Sequence, residues 1–206
     1  MRFLKSFLIV FGILAPLNTA WAECRLAVLG DSLSAGYNIA FTDAFPAQLE
    51  RYLAANNIEC EVQNHGVSGD TTAGGLARID WVLGANPTHM IVELGGNDGM
   101  RALPTANMQA NLEGIIETAQ ANGIPVLLAG MLAPPNLGDE YADAFAKVYA
   151  DLAEKYELTL YPFFLDGVIT NPELMLDDGI HPNPDGVGTI VERFGPTVIQ
   201  WLNANL

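Results

Sequence analysis

The chain has 206 residues, half of them hydrophobic, which suits a single globular domain with a substantial core. Its formal net charge is −15, and so acidic a surface argues against binding to nucleic acid or to anionic membrane surfaces. No internal repeat, low-complexity stretch or linker is visible in the sequence, which therefore predicts one domain.

The first 22 residues have the layout of a secretory signal peptide. Arg2 and Lys5 form a basic start, residues 7–14 are apolar, and residues 20–22 match a cleavage site with small residues at its ends. The apolar run is short for a membrane span of about 20 residues, so we expect cleavage before Glu23 rather than an uncleaved anchor. The expected product is a domain of residues 23–206 without stable membrane insertion, either periplasmic or secreted. Its net charge changes to −17, because residues 1–22 contain two bases and no acid.

Cys24 and Cys60 are the only cysteines, and an oxidising compartment would allow them to form a disulfide. Each lies six residues before a glycine, Gly30 or Gly66, at which a strand is predicted to end. In neighbouring parallel strands the two cysteines would lie at similar height, within the Cα separation that a disulfide tolerates. The alternative is a pair of free, buried thiols.

Apolar runs alternate with helical patterns along the chain. The predicted strands are residues 26–29, 61–64, 90–94, 125–129 and 158–161, and the predicted helices are residues 43–56, 71–83, 105–121, 139–156 and a last helix from Pro184, which Pro196 should kink or split. Such alternation predicts a parallel sheet covered on both faces, with ligands bound beyond the carboxyl ends of the strands. Polar, glycine-rich segments follow the first three strands, so the functional site is expected at this edge.

Two motifs near opposite ends of the domain supply a serine, a histidine and a carboxylate. Ser32 directly follows the first strand, although Gly30-Asp31-Ser32 alone is also common turn chemistry. His181 lies in a glycine- and proline-bounded loop, and Asp178, three residues earlier, can fold back to accept a hydrogen bond from the imidazole. Asp177 is the alternative carboxylate. Together these groups can activate a hydroxyl for acyl transfer.

The segments between these motifs offer donors for an oxyanion. The backbone N–H of Gly69 can approach a ligand closely, Asn97 carries an amide, and the N–H of Ser32 makes a third donor. A flexible turn is the alternative interpretation of residues 95–99. The remaining polar residues of these segments are expected to be structural or, for the histidines, at the surface: Asp31, Asp98, His65, His89 and Asp70, which should cap the helix that follows it.

The ordered set of motifs resembles the four blocks of the GDSL, or SGNH, hydrolase family. The blocks are residues 30–37, Gly69, residues 95–98 and residues 178–182, and the resemblance covers nearly the whole mature chain. It is nearest to the secreted bacterial branch of arylesterases, acyl-thioesterases and lysophospholipases. The resemblance implies a three-layer α/β/α flavodoxin-like fold with a five-stranded parallel sheet. It implies Ser32 as nucleophile, His181 as base and Asp178 as orienting acid, with Ser32, Gly69 and Asn97 as the oxyanion hole. No metal or organic cofactor is implied.

Apolar residues in the loops near the expected site suit a fatty or aromatic acyl group. The candidates for substrate binding are Met100, Leu103, Pro134 and Ile180, for which core packing is the alternative. A negative surface and export both disfavour polyanionic coenzyme-A thioesters, so a small neutral or zwitterionic ester, such as a lysophospholipid or aryl ester, is the expected substrate. The protein is expected to be a monomer.

Three other functions compete with an acyl esterase. A carbohydrate O-acetylesterase on the same fold would need an open polar groove lined with aromatic residues. A metal-dependent phosphoesterase could use Asp177, Asp178 and His181, although the chain lacks the additional histidines that such a site usually has. A non-catalytic binding module would keep the fold and need none of the catalytic groups, all of which are present here.

Overall fold

The computed structural model describes residues 23–205; the predicted signal peptide, residues 1–22, and Leu206 lie outside the described residues. Five strands form one parallel sheet: β1 (Cys24–Gly30), β2 (Cys60–Gly66), β3 (His89–Glu93), β4 (Val126–Ala129) and β5 (Thr159–Tyr161). Their order across the sheet is β2-β1-β3-β4-β5, so β3 is the central strand. The apolar runs form strands because helices cover the sheet on both faces.

Within the described residues, eight α-helices accompany the sheet: α1 (Ser32–Ala35), α2 (Phe45–Ala55), α3 (Thr72–Ala77), α4 (Ile79–Leu83), α5 (Gly96–Met100), α6 (Thr105–Ala121), α7 (Asp139–Lys155) and α8 (Pro184–Asn205). Helix α2 packs against α8 in one layer, and α6 packs against α3, α4 and α7 in the other. The prediction of a three-layer α/β/α, flavodoxin-like fold with a five-stranded parallel sheet is confirmed.

The core lies against the inner strands of the sheet. Leu26, Ile91 and Leu127, on β1, β3 and β4, have no exposed surface, and burying one such side chain stabilises the fold by about 1.5–3 kcal/mol. The registers place Gly30 beside Glu93 and Glu93 beside Ala129, at the carboxyl ends of the three strands. The segments that follow these strands therefore start from one edge of the sheet.

A disulfide joins Cys24 to Cys60, with their Cα atoms 4.5 Å apart. The parallel register pairs these cysteines at the amino ends of β1 and β2, and pairs Gly30 with Gly66 at the carboxyl ends. The disulfide thus lies at the end of the sheet opposite the segment that carries Ser32.

The helix predicted over residues 71–83 is two helices, α3 and α4, which meet at Arg78. The guanidinium of Arg78 donates to Asp70 at 2.6 Å, and to the carbonyl oxygens of His65 and Gly30 at 2.7 and 2.9 Å. Those tertiary partners hold Arg78 out of helical geometry. Asp70 therefore binds Arg78, and Thr71 is the helix cap instead, with its side chain accepting from Gly74 N–H.

The last helix, α8, is not split at Pro196. A proline inside a helix removes one hydrogen bond and costs about 3 kcal/mol. Phe194, Val198 and Leu202, on both sides of Pro196, have no exposed surface, and their burial offsets that cost. None of the helices in residues 23–205 is both long enough and apolar enough to cross a membrane.

Candidate active site

Ser32 is the first residue of α1, which begins immediately after β1. Asp31 is the N-cap of this short helix, and its Oδ1 accepts a hydrogen bond from Leu33 N–H at 2.9 Å. The helix ends at Ala35, and its C-cap is Gly36, whose φ of 83° is left-handed and favours glycine. The motif therefore does form a capped turn, but the capping side chain is that of Asp31. The Ser32 hydroxyl faces a cavity.

His181 and Asp178 form a compact loop opposite Ser32. Asp178 Oδ1 accepts from the backbone N–H groups of Ile180 and His181, at 2.9 and 3.0 Å, and Oδ2 lies 2.7 Å from His181 Nδ1. These bonds lower the pKa of Asp178 to about 2, and the bond from His181 N–H has the largest effect. A carboxylate can only accept, so His181 Nδ1 carries the proton of this bond.

The second ring nitrogen of His181 reaches across the sequence to the serine. His181 Nε2 lies 2.8 Å from Ser32 Oγ, a contact between residues 149 positions apart. With Nδ1 protonated, Nε2 is the acceptor of the serine hydroxyl. Tyr37 lies against the same imidazole, with ring centroids 4.3 Å apart, and so restricts its orientation. Sequence patterns assign no role to Tyr37, although it is the last residue of the first motif block, residues 30–37.

Asn97 and Gly69 lie on the same cavity as Ser32 and His181. Asn97 Nδ2 donates one of its two protons to Asp31 Oδ2 at 3.0 Å, which leaves the other free. Gly69 has a φ of +83°, a conformation that a residue with a side chain rarely adopts. Its carbonyl accepts from Arg101 Nη2 at 2.8 Å, which ties the Gly69 turn to the segment after α5.

The cavity has a volume of about 850 Å³. It is lined mainly by apolar side chains, among them Met100, Pro134 and Ile180, and also Tyr37, Met131, Leu132, Phe163, Leu165 and Ile169. Leu103, by contrast, is absent from this lining as described over residues 23–205, which corrects the expectation for that residue. The chain reverses at Ala102, where φ is +48°, and the Leu103 carbonyl is held by the hydroxyl of Tyr141 at 2.7 Å.

The other polar residues of the motifs have different surroundings. His65 and His89 are both buried, beside Trp81 and Trp201, and burial lowers the pKa of each. Asp98 is buried and accepts from Thr72. In the part of the chain that the structure describes, no three His, Cys, Asp or Glu side chains cluster as a metal site would require.

Sequence reasoning missed Glu93, the last residue of the central strand. Its side chain is fully buried beside Asp31, directly behind α1. Burial raises the pKa of Asp31 to about 6; burial, and then the charge of Asp31, raise that of Glu93 well above its usual range. The available signal was an acidic residue inside an otherwise apolar strand.

Comparison with known proteins identifies the family of the chain. Residues 28–187 match the GDSL-like Lipase/Acylhydrolase family. The chain belongs to this family. It is 40% identical to an arylesterase of Vibrio mimicus over 182 residues, which are 88% of this chain and 91% of that protein. This family member is accordingly a carboxylic ester hydrolase.

Two further relatives extend the comparison. Over 198 residues, 96% of this chain and 89% of the relative, it is 38% identical to the Escherichia coli protein named thioesterase 1/protease 1/lysophospholipase L1. A crystal structure of the psychrotrophic esterase EstA from Pseudoalteromonas sp., inhibited by monoethylphosphonate, superposes with a TM-score of 0.83 at 31% identity. That match covers 88% of this chain and 100% of the other.

Proposed function

We propose that the protein is an exported serine esterase that hydrolyses acyl esters through an acyl-enzyme on Ser32. The observation that carries the proposal is the continuous hydrogen-bonded series from Ser32 Oγ through His181 to Asp178, at 2.8 and 2.7 Å. A nucleophile, a base and a group that orients the base, each within hydrogen-bond reach, are the arrangement that acyl transfer needs.

In the proposed reaction, Ser32 Oγ attacks the acyl carbonyl while His181 Nε2 takes the hydroxyl proton. Asp178 keeps the proton on Nδ1 and stabilises the imidazolium that forms. His181 then gives its new proton to the leaving alcohol as the tetrahedral intermediate collapses to the acyl-enzyme. Water, deprotonated by His181, attacks the acyl-enzyme, and the carboxylic acid and free Ser32 are released.

The oxyanion is assigned to the N–H groups of Ser32 and Gly69 and to the side-chain amide of Asn97. The bond from Asn97 to Asp31 supports this role, because it fixes the amide plane with one N–H still free. Donors held in place before the reaction stabilise the transition state without any reorganisation as charge develops.

The cavity supports an apolar acyl group as the preferred substrate part. Its lining is mainly aliphatic, with Met100, Pro134 and Ile180 as proposed substrate contacts. Lysophospholipids and aryl esters are proposed ahead of coenzyme-A thioesters, because the net charge of the full chain, −15, changes to −17 without Arg2 and Lys5 and repels a polyanion. A carbohydrate O-acetylesterase, which would need a polar groove lined with aromatic residues, is less well supported. The lining of this cavity is mainly aliphatic; within the described chain its aromatic residues are Tyr37 and Phe163, and Trp81 is not part of it.

Export to the periplasm or beyond is part of the proposal. The disulfide between Cys24 and Cys60 supports it, because such bonds persist in oxidising compartments. We propose that residues 1–22 are the removed signal peptide and that the mature domain acts as a monomer without a cofactor.

Burst kinetics test the proposed function. An aryl ester in excess over enzyme should release aryl alcohol in a burst that is stoichiometric with active sites, followed by slower turnover. Ser32→Ala should abolish both phases, whereas Ser68→Ala, the matched control on the same cavity, should leave them unchanged. Chelators should not alter the rates. Turnover by Ser32→Ala, or loss of wild-type activity on addition of a chelator, would refute the mechanism. An exclusive preference for acetylated sugars in a panel of esters would favour the O-acetylesterase.

A further inference from the structure

The carboxyl group of Glu93 lies beneath the nucleophile segment, at the centre of the sheet. Glu93 ends the central strand β3 and is in register with Gly30, the last residue of β1. Its side chain has no exposed surface. The mechanism above does not use this group, although it lies one strand away from the start of α1.

Glu93 contacts residues on both sides of Ser32 in the chain. Its Oε2 accepts a hydrogen bond from Ser34 Oγ at 2.7 Å and a longer one from Asp31 N–H at 3.4 Å. Asp31 in turn caps α1 through Leu33 N–H and accepts from the Asn97 amide. One carboxyl group is therefore connected to the nucleophile helix and, through Asp31, to the proposed oxyanion donor.

The surroundings of Glu93 favour a neutral carboxylic acid. Among the described residues, no Lys, Arg or His forms an ion pair with it, and its Oε1 is buried without a hydrogen-bond partner. Its charged neighbour is Asp31, which also carries a carboxyl group. Two adjacent buried carboxylates cannot both ionise without a large cost. Both oxygens of Asp31 have a donor, the Leu33 N–H for Oδ1 and the Asn97 amide for Oδ2, whereas Glu93 Oε1 has none, so the proton resides on Glu93.

The contact between Ser34 and Glu93 explains why the Gly30-Asp31-Ser32-Leu33 motif begins with glycine. A Cβ on Gly30 would lie 2.3 Å from Ser34 Oγ and 2.7 Å from Glu93 Oε2. Both distances are shorter than any real Cβ contact, so a side chain here would separate Ser34 from Glu93. The motif therefore leaves space for the Glu93 contact as well as for the turn.

We propose that Glu93, held as a neutral carboxylic acid, is a positioning residue that fixes Ser34 and Asp31 and thereby sets Ser32 Oγ and the Asn97 amide for catalysis. This inference rests on the proposed function, in which Ser32 and Asn97 act on the substrate. Glu93 itself touches no reacting atom, so its removal should lower kcat rather than weaken substrate binding.

The test compares Glu93→Gln, Glu93→Ala and Ser34→Ala with Ile91→Val. Ile91 is buried on the same face of β3, two residues earlier, and serves as a control for lost packing alone. Glu93→Gln, neutral and of the same shape, should keep kcat within about threefold, whereas Glu93→Ala should lower kcat about 10- to 100-fold with KM nearly unchanged. Ser34→Ala should lower kcat about 3- to 10-fold, and Ile91→Val should lower stability alone.

Several outcomes would overturn the inference. If Glu93→Ala folds and keeps the wild-type kcat, Glu93 has only a structural role. If that variant does not fold, an unchanged kcat in Ser34→Ala would lead to the same conclusion. A loss in Glu93→Gln as large as in Glu93→Ala would show that the charged form is needed. The infrared difference between wild type and Glu93→Gln at neutral pH should contain the carbonyl band of a protonated acid, and its absence would contradict the neutral state.

Failure of this inference can be told apart from failure of the proposed function. Each variant is also titrated with an organophosphonate, and the labelled residue is identified by peptide mapping. If Ser32 is labelled normally while the Glu93 variants keep full kcat, only the positioning role is wrong. If Ser32 is not labelled in the wild type, the proposed function itself is wrong.

Discussion

The two halves of the candidate active site are held in different ways. The half that carries Ser32 is buried: Asp31 and Glu93 are at most 2% exposed, and their contacts come from β1, α1, β3 and α5. The half that carries His181 is more open, with 16% and 35% of the His181 and Asp178 side chains exposed. Apart from the contact with Ser32, its hydrogen bonds are local: Asp178 accepts from Ile180 and His181, and backbone bonds join Leu176 to Gly179 and His181.

This difference separates stability from catalysis. Changes in the Ser32 half disturb buried groups and should affect both the free energy of unfolding and kcat. Changes in the 178–181 loop remove exposed contacts, which contribute little to stability, but they interrupt the path of the proton. Each prediction below tests one side of this comparison.

The largest effect is expected in the loop half. Asp178→Asn should lower kcat about 10⁴-fold, because an amide cannot hold His181 in the tautomer that accepts the serine proton. The free energy of unfolding should change little. Asp177→Asn is the matched control, since Asp177 is the exposed neighbour and is expected to keep full kcat. A large loss of kcat in Asp177→Asn, with Asp178→Asn still active, would show that Asp177 is the residue that orients His181.

Asn97 belongs to the buried half and should show a smaller effect on rate. Asn97→Ala should lower kcat about 10²- to 10³-fold, the usual loss for one oxyanion donor. It should also lower stability, because Asp31 Oδ2 loses its partner. Steady-state kinetics and denaturant unfolding measure the two effects. A change confined to KM would make Asn97 a ground-state contact.

The disulfide should affect stability and leave catalysis intact. Closing a loop with a sequence separation of 36 stabilises the fold by about 3–4 kcal/mol in the chain-entropy account. The double variant Cys24→Ala and Cys60→Ala should lose stability of this order, as followed by denaturant unfolding, and keep wild-type kcat. Loss of kcat without loss of stability would contradict the placement of the bond far from Ser32.

The smallest expected effect is a pH dependence of stability from Asp31. Burial raises its pKa from 3.8 to about 6, so the folded chain holds a proton that the unfolded chain releases. The stabilisation is complete below pH 3.8 and is lost as the pH rises to about 6. Unfolding titrations should show a smaller fall in Asp31→Asn than in the wild type; the part that remains comes from Glu93, whose pKa burial also raises. Asp178, whose pKa is lowered from 3.8 to about 2, acts in the opposite direction: its stabilisation is present above pH 3.8 and is lost as the pH falls to about 2.

The sequence could predict what depends on local pattern. Apolar runs and helical periods give the five strands and most of the helices, and the end of a strand places Ser32, Gly66 and Gly95 at one edge. Asp178 and His181 lie close enough in the chain for their contact to be predicted. Their meeting with Ser32 follows from the shared sheet edge and from the family resemblance.

What the sequence could not predict depends on tertiary partners. Arg78 breaks a predicted helix because carbonyl oxygens from β1 and β2 lie within its reach. Leu103 is absent from the cavity lining of the described chain, and its carbonyl accepts from Tyr141 of α7, a partner far away in the sequence. Glu93 is neutral because β3 is the central strand, and a glutamate on an edge strand would meet water instead. Strand order and partner identity are not encoded in periodicity.

One measurement tests the central claim most directly: intact-mass and peptide analysis of the enzyme after reaction with an aryl phosphonate. The account predicts one phosphonyl group per chain, located on Ser32, with loss of esterase activity in the same proportion. Ser32→Ala should not be labelled, and Ser68→Ala should be labelled as fast as the wild type. Stoichiometric labelling elsewhere, or full activity with Ser32 modified, would contradict the assignment of Ser32 as the nucleophile.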